Sequence, residues 1–300
     1  MEYGIYYAYW ERQWGGNYLK YAKKVGGLGF DILEISCASL GDMAAPQIRD
    51  LRQAAADSGV RLTGGYGPKP SENIASADPV VVKNAFEFWK RTFDVLGQLG
   101  ITLAGGGLYS YWPVDFGKPF NKAEDLTRSI ENMKKLADMA AAYGITLGME
   151  SLNRFEGYLI NTAAEALAYV KAVGKDNVKV MLDTFHMNIE EDSFIDAIHT
   201  AGPHLGHFHI GEANRRPPRT GGRIDWQGIA GALHDIGYTG TVVMEPFVLQ
   251  GGQVGSDIKV WRDMSNSANG MDGVAGEKEL DEEARRSVAF IRKTFEGGKK

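Results

Sequence analysis

Short apolar runs alternate with longer amphipathic stretches along the whole chain. Short runs rich in β-branched and other apolar side chains are typical of buried strands. Eight such runs are present, and they cover residues 4–10, 30–36, 61–67, 102–107, 146–151, 178–184, 205–211 and 240–246. The regular alternation predicts eight repeated βα units.

The stretches between the runs carry helix start and stop signals. In residues 78–100, Asp78 suits the capping position, Pro79 suits the first turn, and Gly100 suits the stop. Thr162 and Gly174 bracket a second helix in the same way. A charged C-terminal helix is predicted over about residues 278–297.

Eight βα units without a dividing linker favour one closed (β/α)8 TIM barrel over residues 1–300. A doubly wound open sheet is the alternative. Its phosphate-binding fingerprint is missing, because "GGLGF" and "AGGGL" hold no G-x-G-x-x-G at a strand-to-helix turn. The pattern therefore predicts a single barrel domain.

Composition narrows the functional classes. The net charge is −5 and the basic residues are scattered, so the chain is not expected to bind nucleic acid. No apolar run approaches a membrane span, and the N-terminus lacks a secretory signal pattern, which predicts a cytoplasmic protein without membrane contact. Cys37 is the only cysteine, so an internal disulfide is excluded and a small buried side chain is expected there.

Polar side chains end four consecutive predicted strands: Glu150, Asp183, His209 and Glu245. Catalytic groups of a (β/α)8 barrel lie at the carboxyl ends of its strands, so these four should meet at one place. Three crowded carboxylates resist ionisation unless a cation lies among them. Oxygen donors with one imidazole and no thiolate favour Mn²⁺, Mg²⁺ or Co²⁺ over structural Zn²⁺. The pattern predicts one divalent metal per subunit.

Each of these residues also has an ordinary structural interpretation. Asp183 could cap a helix, Glu245 could pair with an arginine, and His209 could be a hydrogen-bonded core histidine. Their coincidence at four strand ends favours the metal site. His207 has the same side-chain parity as His209 one layer lower, and a hydrogen-bonded interior role is expected for it. The remaining candidates for plain surface histidines are His199, His204 and His234.

Further polar and aromatic residues lie close to the strand ends. Glu156, His186 and Arg215 follow the fifth, sixth and seventh strands, and Tyr6 and Trp112 supply aromatic walls. Such a lining suits a small polyol. Taken singly, Glu156 could be a surface ion-pair partner, and Arg215 could belong to a solvated charge run with its neighbour.

Several long motifs carry a specific resemblance: "GIYYAYWE", "YSYWPVDF", "LNRFEGYLINTA", "VKVMLDTFHMNIEEDS", "GHFHIGEANRR" and "VVMEPFV" followed by "GGQVGSDIKVWRD". From Tyr3 to about Asp263 the chain closely resembles the D-tagatose 3-epimerase family, and within it the D-psicose (D-allulose) 3-epimerases. The resemblance implies a (β/α)8 barrel that uses Mn²⁺ or Co²⁺ to interconvert free ketohexoses at C3. It also implies a homodimer or homotetramer.

Matching motifs carry roles to individual residues. By resemblance, Glu150, Asp183, His209 and Glu245 are metal ligands, and Glu150 and Glu245 are also the catalytic pair. The residues that fall where the family contacts sugar are Tyr6, Gly107, Trp112, Glu156, His186 and Arg215. The chain departs from the family at Gly107, where relatives often have alanine, at Tyr66, and in a 217–224 loop that is one residue longer. These departures border the pocket and bear on substrate preference.

The expected reaction links D-fructose and D-psicose, with D-tagatose and D-sorbose or L-ribulose as further candidate substrates. One glutamate would remove the C3 proton to give a cis-enediolate on the metal, and the other would return a proton to the opposite face. A metal-dependent aldose-ketose isomerase of the same barrel type is the alternative. A sugar-binding barrel without activity and an apurinic-site nuclease fit less well, because a nuclease would need more histidines and a basic face.

Overall fold

The computed structural model describes residues 1–265 and 276–297. Eight parallel strands pair in chain order and the eighth pairs with the first, so the sheet is a closed barrel. The prediction of a (β/α)8 TIM barrel is confirmed. The strands are β1 Glu2–Tyr6, β2 Ile32–Ser36, β3 Arg61–Gly65, β4 Leu103–Gly106, β5 Thr146–Glu150, β6 Val178–Asp183, β7 Leu205–Ile210 and β8 Thr241–Met244.

Helices surround the barrel and connect its strands. The α-helices are α1 Tyr18–Leu28, α2 Ala45–Asp57, α3 Pro79–Leu99, α4 Lys122–Ala141, α5 Ala163–Val173, α6 Thr184–Glu190, α7 Phe194–Ala201, α8 Trp226–Asp235, α9 Gly252–Ile258 and α10 Glu277–Glu296. Short 3₁₀ helices cover Tyr7–Trp10, Cys37–Asp42, Pro70–Glu72 and Gly202–His204. The amphipathic helices turn apolar faces to the barrel, and most of that core is fully buried.

The predicted helix signals act as expected. The Asp78 side chain accepts a hydrogen bond from the Val80 amide, and Gly100 ends α3 with a φ of 74° in the left-handed region. The Thr162 side chain accepts from the Glu165 amide at the start of α5, and Gly174 ends that helix. The C-terminal helix α10 begins and ends one residue earlier than predicted.

All eight strands are shorter than their apolar runs. The largest shift of a strand end is in the first run, predicted over residues 4–10, because the strand covers Glu2–Tyr6 and the chain then turns into a 3₁₀ helix. Tyr7, Ala8 and Tyr9 stay buried in that helix, so the apolar pattern continues after the pairing has stopped. β8 likewise ends at Met244, which places Glu245 just beyond the strand.

Some predictions extend past the described part of the chain. Residues 266–275 and 298–300 of the predicted 1–300 domain lie outside the described residues. The sequence of residues 255–270 also predicts packing against a neighbouring subunit, and its part from residue 266 lies outside the described residues too. Homodimer or homotetramer assembly stays a prediction. Within the described residues, none of the helices combines the length and the apolar character that crossing a membrane requires.

Candidate active site

The four predicted ligand residues meet at the carboxyl end of the barrel. Glu150 and Asp183 are the last residues of β5 and β6, His209 is the penultimate residue of β7, and Glu245 directly follows β8. Parallel pairing sets Asp183 beside His209 in the register. One donor atom from each of the four side chains lies within 4.8 Å of the other three. The spacing in the sequence therefore corresponds to one cluster in space.

His209 Nδ1 faces all three carboxylates. It lies 4.0 Å from Glu150 Oε1, 3.9 Å from Asp183 Oδ2 and 3.8 Å from Glu245 Oε2, which is too long for hydrogen bonds. Glu150 Oε1 and His209 Nδ1 are buried and have no hydrogen-bond partner among the described residues. Buried polar atoms without partners are costly, and a cation among them would satisfy both. The four residues therefore fit a divalent metal ion.

Electrostatics in the cluster point the same way. Burial and the neighbouring Glu245 carboxylate raise the pKa of Glu150 well above its usual range. Burial lowers the pKa of His209, but the Glu34 and Glu245 carboxylates outweigh this effect and raise the pKa well above its usual value. Carboxylates this close ionise together only when positive charge is nearby. Asp183 also caps α6 through the Phe185 amide, so its two interpretations are both realised.

Glu34, on β2, belongs to the site, although it was not among the residues predicted from the sequence. Its fully buried carboxylate accepts hydrogen bonds from His209 Nε2 at 2.7 Å, from His207 Nε2 at 2.9 Å and from the Thr63 hydroxyl at 2.8 Å. Although burial raises it, the imidazoles of His209 and His207 hold the pKa of Glu34 well below its usual range. A charged residue inside the apolar run "ILEIS" was the available signal.

His207 has the interior role predicted for it. Its Nδ1 lies 2.5 Å from the Thr241 hydroxyl, and its Nε2 binds Glu34, so both ring nitrogens have partners. Glu34, His207 and His209 also lie close enough to suggest a second cation site. Hydrogen bonds already fill that space, whereas the unsatisfied atoms belong to the cluster above it. The upper cluster is therefore the better candidate metal centre.

Arg215 is buried at the cluster and not part of a solvated charge run. Its guanidinium donates to Glu245 Oε2 at 2.6 Å and to Asp183 Oδ2 at 3.3 Å. The group lies 3.8 Å from the centroid of the Phe185 ring, which is a cation–π contact. A tight turn with φ of 63° at Arg215 aims the side chain inward. Glu245 thus pairs with an arginine, as its structural interpretation proposed, but inside the pocket.

His186 and Glu156 both form hydrogen bonds with Asn153. The Asn153 amide N–H and side-chain N–H groups lie 3.1 and 2.8 Å from His186 Nδ1, so this nitrogen accepts and Nε2 carries the proton. Nε2 faces Glu150 Oε1 at 3.8 Å. Burial lowers the pKa of His186 to about 4, which keeps the ring neutral at pH 7. Sequence reasoning missed Asn153, which has no charge and no periodic pattern.

Glu156 lies in the pocket wall and not on the open surface. It accepts from Trp112 Nε1 at 3.1 Å and from Asn153 Nδ2 at 3.0 Å, and it lies 3.6 Å from the Arg215 guanidinium. Although burial raises it, His186 and Arg215 lower the pKa of Glu156. Glu156 is therefore an ionised acceptor next to the cluster.

Comparison with known proteins gives a family for this arrangement. The family described as the xylose isomerase-like TIM barrel matches residues 20–293. A D-psicose 3-epimerase of Agrobacterium fabrum is 50% identical over 97% of this chain and 98% of its own. The crystal structure of D-psicose 3-epimerase with D-tagatose from Clostridium cellulolyticum H10 superimposes with a TM-score of 0.94 at 51% identity, covering 98% of this chain and 99% of that one.

The chain belongs to the D-psicose 3-epimerase family. The resemblance found in its motifs is confirmed, and the protein is an isomerase of the epimerase class. A further crystal structure of D-psicose 3-epimerase, in the presence of D-fructose, has a TM-score of 0.94 at 49% identity, covering 98% of this chain and 99% of that one. The cluster at the rim is thus the candidate active site of an epimerase barrel.

In this member of the D-psicose 3-epimerase family, a cavity of about 260 Å³ opens above the four candidate metal ligands. Tyr6, Gly107 and Trp112 line it, together with Glu156, His186 and Arg215, so all six predicted sugar-contact residues face one space. Trp14 packs its ring edge-on against Trp112 and adds to the wall. The lining combines aromatic rings with ionic side chains, which suits a small polyol.

Two of the departures from the family pattern, Tyr66 and Gly107, border this cavity, whereas the 217–224 loop does not contribute to its lining. Tyr66 lines it, stacks on Phe88 at 5.0 Å and hydrogen-bonds through its hydroxyl to Glu72. A Cβ added at Gly107 would meet only Leu152 Cδ1, at 3.4 Å, so the alanine of relatives would fit. In the 217–224 loop, the amides of Arg219 and Arg223 donate to the buried carboxylate of Glu212.

The remaining predicted residues lie away from the cavity. Cys37 is fully buried, and burial raises the pKa of its thiol, so it is an inert core side chain as expected. His199 is exposed and lies 3.3 Å from Asp235, whereas His204 and His234 are half-buried.

Proposed function

We propose that the protein interconverts D-fructose and D-psicose by moving the proton at C3, with one divalent cation held by Glu150, Asp183, His209 and Glu245. The observation that carries the proposal is the pair of glutamates from β5 and β8 that flank one cluster of unsatisfied buried atoms. The names of the close relatives and the sugars in their crystal structures support the substrate class. D-tagatose, D-sorbose and L-ribulose remain further candidate substrates.

When bound, a divalent cation supplies a Lewis acid that stabilises negative charge developing on the oxygens of a ketose. Mn²⁺ is the proposed ion, with Co²⁺ or Mg²⁺ as alternatives, because three carboxylates and one imidazole form a mostly hard donor set.

The two glutamates perform the proton transfers in this mechanism. The hydrogen on C3 is weakly acidic because it is adjacent to the carbonyl at C2. One of Glu150 and Glu245 takes this proton as general base, and the other delivers a proton to the opposite face. The two side chains come from the ends of β5 and β8, which β6 and β7 separate in the barrel, and transfer on opposite faces inverts the configuration at C3.

Neighbouring groups position the sugar and limit water. The neutral His186 offers its Nε2 proton to a sugar oxygen, because both Asn153 donors are directed to Nδ1. Arg215 offers guanidinium donors, and Glu156 offers an acceptor to a hydroxyl group. The aromatic walls from Tyr6 and Trp112 exclude water from the reacting carbon, which strengthens each of these interactions.

The test is the reaction of D-fructose in D₂O with Mn²⁺, stopped early. The first D-psicose should carry deuterium at C3 alone, while the remaining D-fructose stays nearly unlabelled. Chelation should abolish the reaction, and Mn²⁺ or Co²⁺ should restore it. Product that keeps its original C3 hydrogen would contradict both glutamate roles. Label at C1 or C2 would instead identify an aldose-ketose isomerase.

A further inference from the structure

Glu34 is an ionised group in the dry interior of the barrel, one layer below the proposed metal ligands. Its side chain is fully buried. Within residues 1–265 and 276–297 its ion-pair partners are two imidazoles, and no lysine or arginine pairs with it. A buried carboxylate is costly unless something compensates its charge.

The hydrogen bonds around Glu34 fix the direction of the His209 ring. His209 Nε2 lies 2.7 Å from Glu34 Oε1, and a carboxylate can only accept, so Nε2 carries the proton. In the neutral imidazole Nδ1 then holds the lone pair, and Nδ1 is the atom that faces Glu150, Asp183 and Glu245. Glu34 therefore presents the correct nitrogen to the cluster.

The rest of the network leaves Glu34 no alternative arrangement. The Thr241 hydroxyl lies 2.5 Å from His207 Nδ1 and can donate to it, which leaves the proton of His207 on Nε2, directed at Glu34. The Thr63 hydroxyl donates to the same carboxylate oxygen. With three donors directed at it, the carboxylate is held in one orientation below His209.

We propose that Glu34 is a positioning residue that fixes the proton and ring orientation of His209 and raises its basicity as a metal ligand. The charge of Glu34 is then compensated through the imidazole by the cation above it. This inference rests on the proposed metal site. It adds that the affinity of that site is set partly by a carboxylate that does not touch the ion.

The test compares Mn²⁺ binding in chelator-treated wild type, Glu34→Gln and Thr63→Val, by calorimetric titration and by free-Mn²⁺ EPR. Glu34→Gln keeps the shape of the side chain but removes its charge, so Mn²⁺ should bind about 10–100-fold more weakly. Thr63→Val removes another hydrogen bond to the same carboxylate without touching His209, so its affinity should stay within about threefold of wild type. The Mn²⁺ concentration that raises the Tm should shift by the same factors.

The Mn²⁺ affinities distinguish failure of this inference from failure of the proposed metal site. Equal Mn²⁺ affinity in Glu34→Gln and wild type would overturn this inference alone, and so would an equal loss in both variants, which would indicate a packing effect. A wild type that binds none of Mn²⁺, Co²⁺ and Mg²⁺ would overturn the proposed metal site and this inference with it.

A second measurement does not depend on the variant folding. In wild type labelled with ¹⁵N at histidine and loaded with diamagnetic Mg²⁺, NMR should find His209 protonated at Nε2 and not at Nδ1. His209 resonances can be assigned with His209→Gln. A proton on Nδ1 with Nε2 bare would overturn the inference whatever the Glu34→Gln variant shows.

Discussion

The two halves of the barrel end in opposite kinds of residue. β5, β6 and β8 lead to Glu150, Asp183 and Glu245, and β7 adds His209. The strands of the other half end with Tyr6, Ser36, Gly65 and Gly106. In the proposed function, the β5–β8 half supplies charge and proton transfer, and the β1–β4 half supplies shape and room for the substrate. A barrel can separate these tasks because all eight strands deliver their carboxyl ends to one face.

Packing inside the barrel also requires small residues on β3 and β4. A Cβ added at Gly105 on β4 would lie 2.5 Å from Met181 Sδ and 3.2 Å from His207 Cδ2, side chains that cross the barrel from β6 and β7. One added at Gly65 would lie 3.2 Å from Glu34 Oε1 and from Tyr6 Cε2. Side chains from other strands, including strands across the barrel, thus fill the interior that the glycines leave open.

The largest effect is expected when the two proposed proton-transfer groups of the β5–β8 half are replaced. Glu150→Gln and Glu245→Gln should each lower kcat by about 10²–10⁴-fold, because an amide cannot act as the base or acid. Glu156→Gln, in the same pocket, should cost less and act partly through KM. Steady-state kinetics with D-fructose measure all three. If a variant at Glu150 or Glu245 kept a tenth of the wild-type kcat with metal bound, its assignment would be wrong.

Removing the metal tests the β5–β8 half through the thermal stability of the protein. Saturating Mn²⁺ binds only the folded state, so at 100 times its Kd it should raise the free energy of unfolding by about 2.7 kcal/mol. Asp183→Asn should reduce that gain, because it removes a carboxylate from the cluster. Thermal unfolding with and without chelator measures the effect. An identical Tm under both conditions would count against a metal at this site.

Two matched substitutions, at Gly105 and Gly107, test the packing of the β1–β4 half. Gly105→Ala should destabilise the protein by about 1–3 kcal/mol, because hydrogen bonds to Glu34 and Thr241 hold His207 in place. Gly107→Ala should change the free energy of unfolding by less than about 0.5 kcal/mol, since only Leu152 lies near its added carbon. Urea unfolding measures both. Equal effects at the two positions would show that packing does not distinguish them.

The smallest effect is expected for a charge outside the barrel. Glu277 is half exposed, and its Oε1 lies 2.7 Å from Lys20 Nζ and 2.5 Å from Lys24 Nζ. Hydrogen bonds from these lysines lower the pKa of Glu277 to about 2. Glu277→Gln should therefore cost at most about 1 kcal/mol at pH 7.

The pH dependence of that difference follows from the sign of the shift. A carboxylate whose pKa is lowered on folding contributes stability above its unfolded pKa, and the contribution is lost as the pH falls toward 2. The stability difference between wild type and Glu277→Gln should shrink over this window, and it should also shrink in high salt. A difference that persisted unchanged in acid would assign it to packing.

The sequence anticipated the barrel and its rim for a local reason. Strand runs, helix caps and glycine stops are encoded in neighbouring residues, so Asp78, Gly100 and Thr162 act in the structure as they do in the pattern. Strand ends were less well defined in the sequence, because burial continues after pairing stops, as at Tyr7, Ala8 and Tyr9. The four candidate ligands could be found because parallel strands of a barrel bring their ends together whatever lies between them.

Only the tertiary structure decided how these residues are oriented and what lies beneath them. Glu34 and His209 are 175 positions apart, on strands that do not pair with each other. Arg215 reaches Glu245 through a turn whose φ of 63° no periodicity indicates. The sequence by itself determined which side chains stand at the rim, because the period of strands is local. Contacts across the interior depend on closure of the whole barrel, so they leave no regular spacing in the chain.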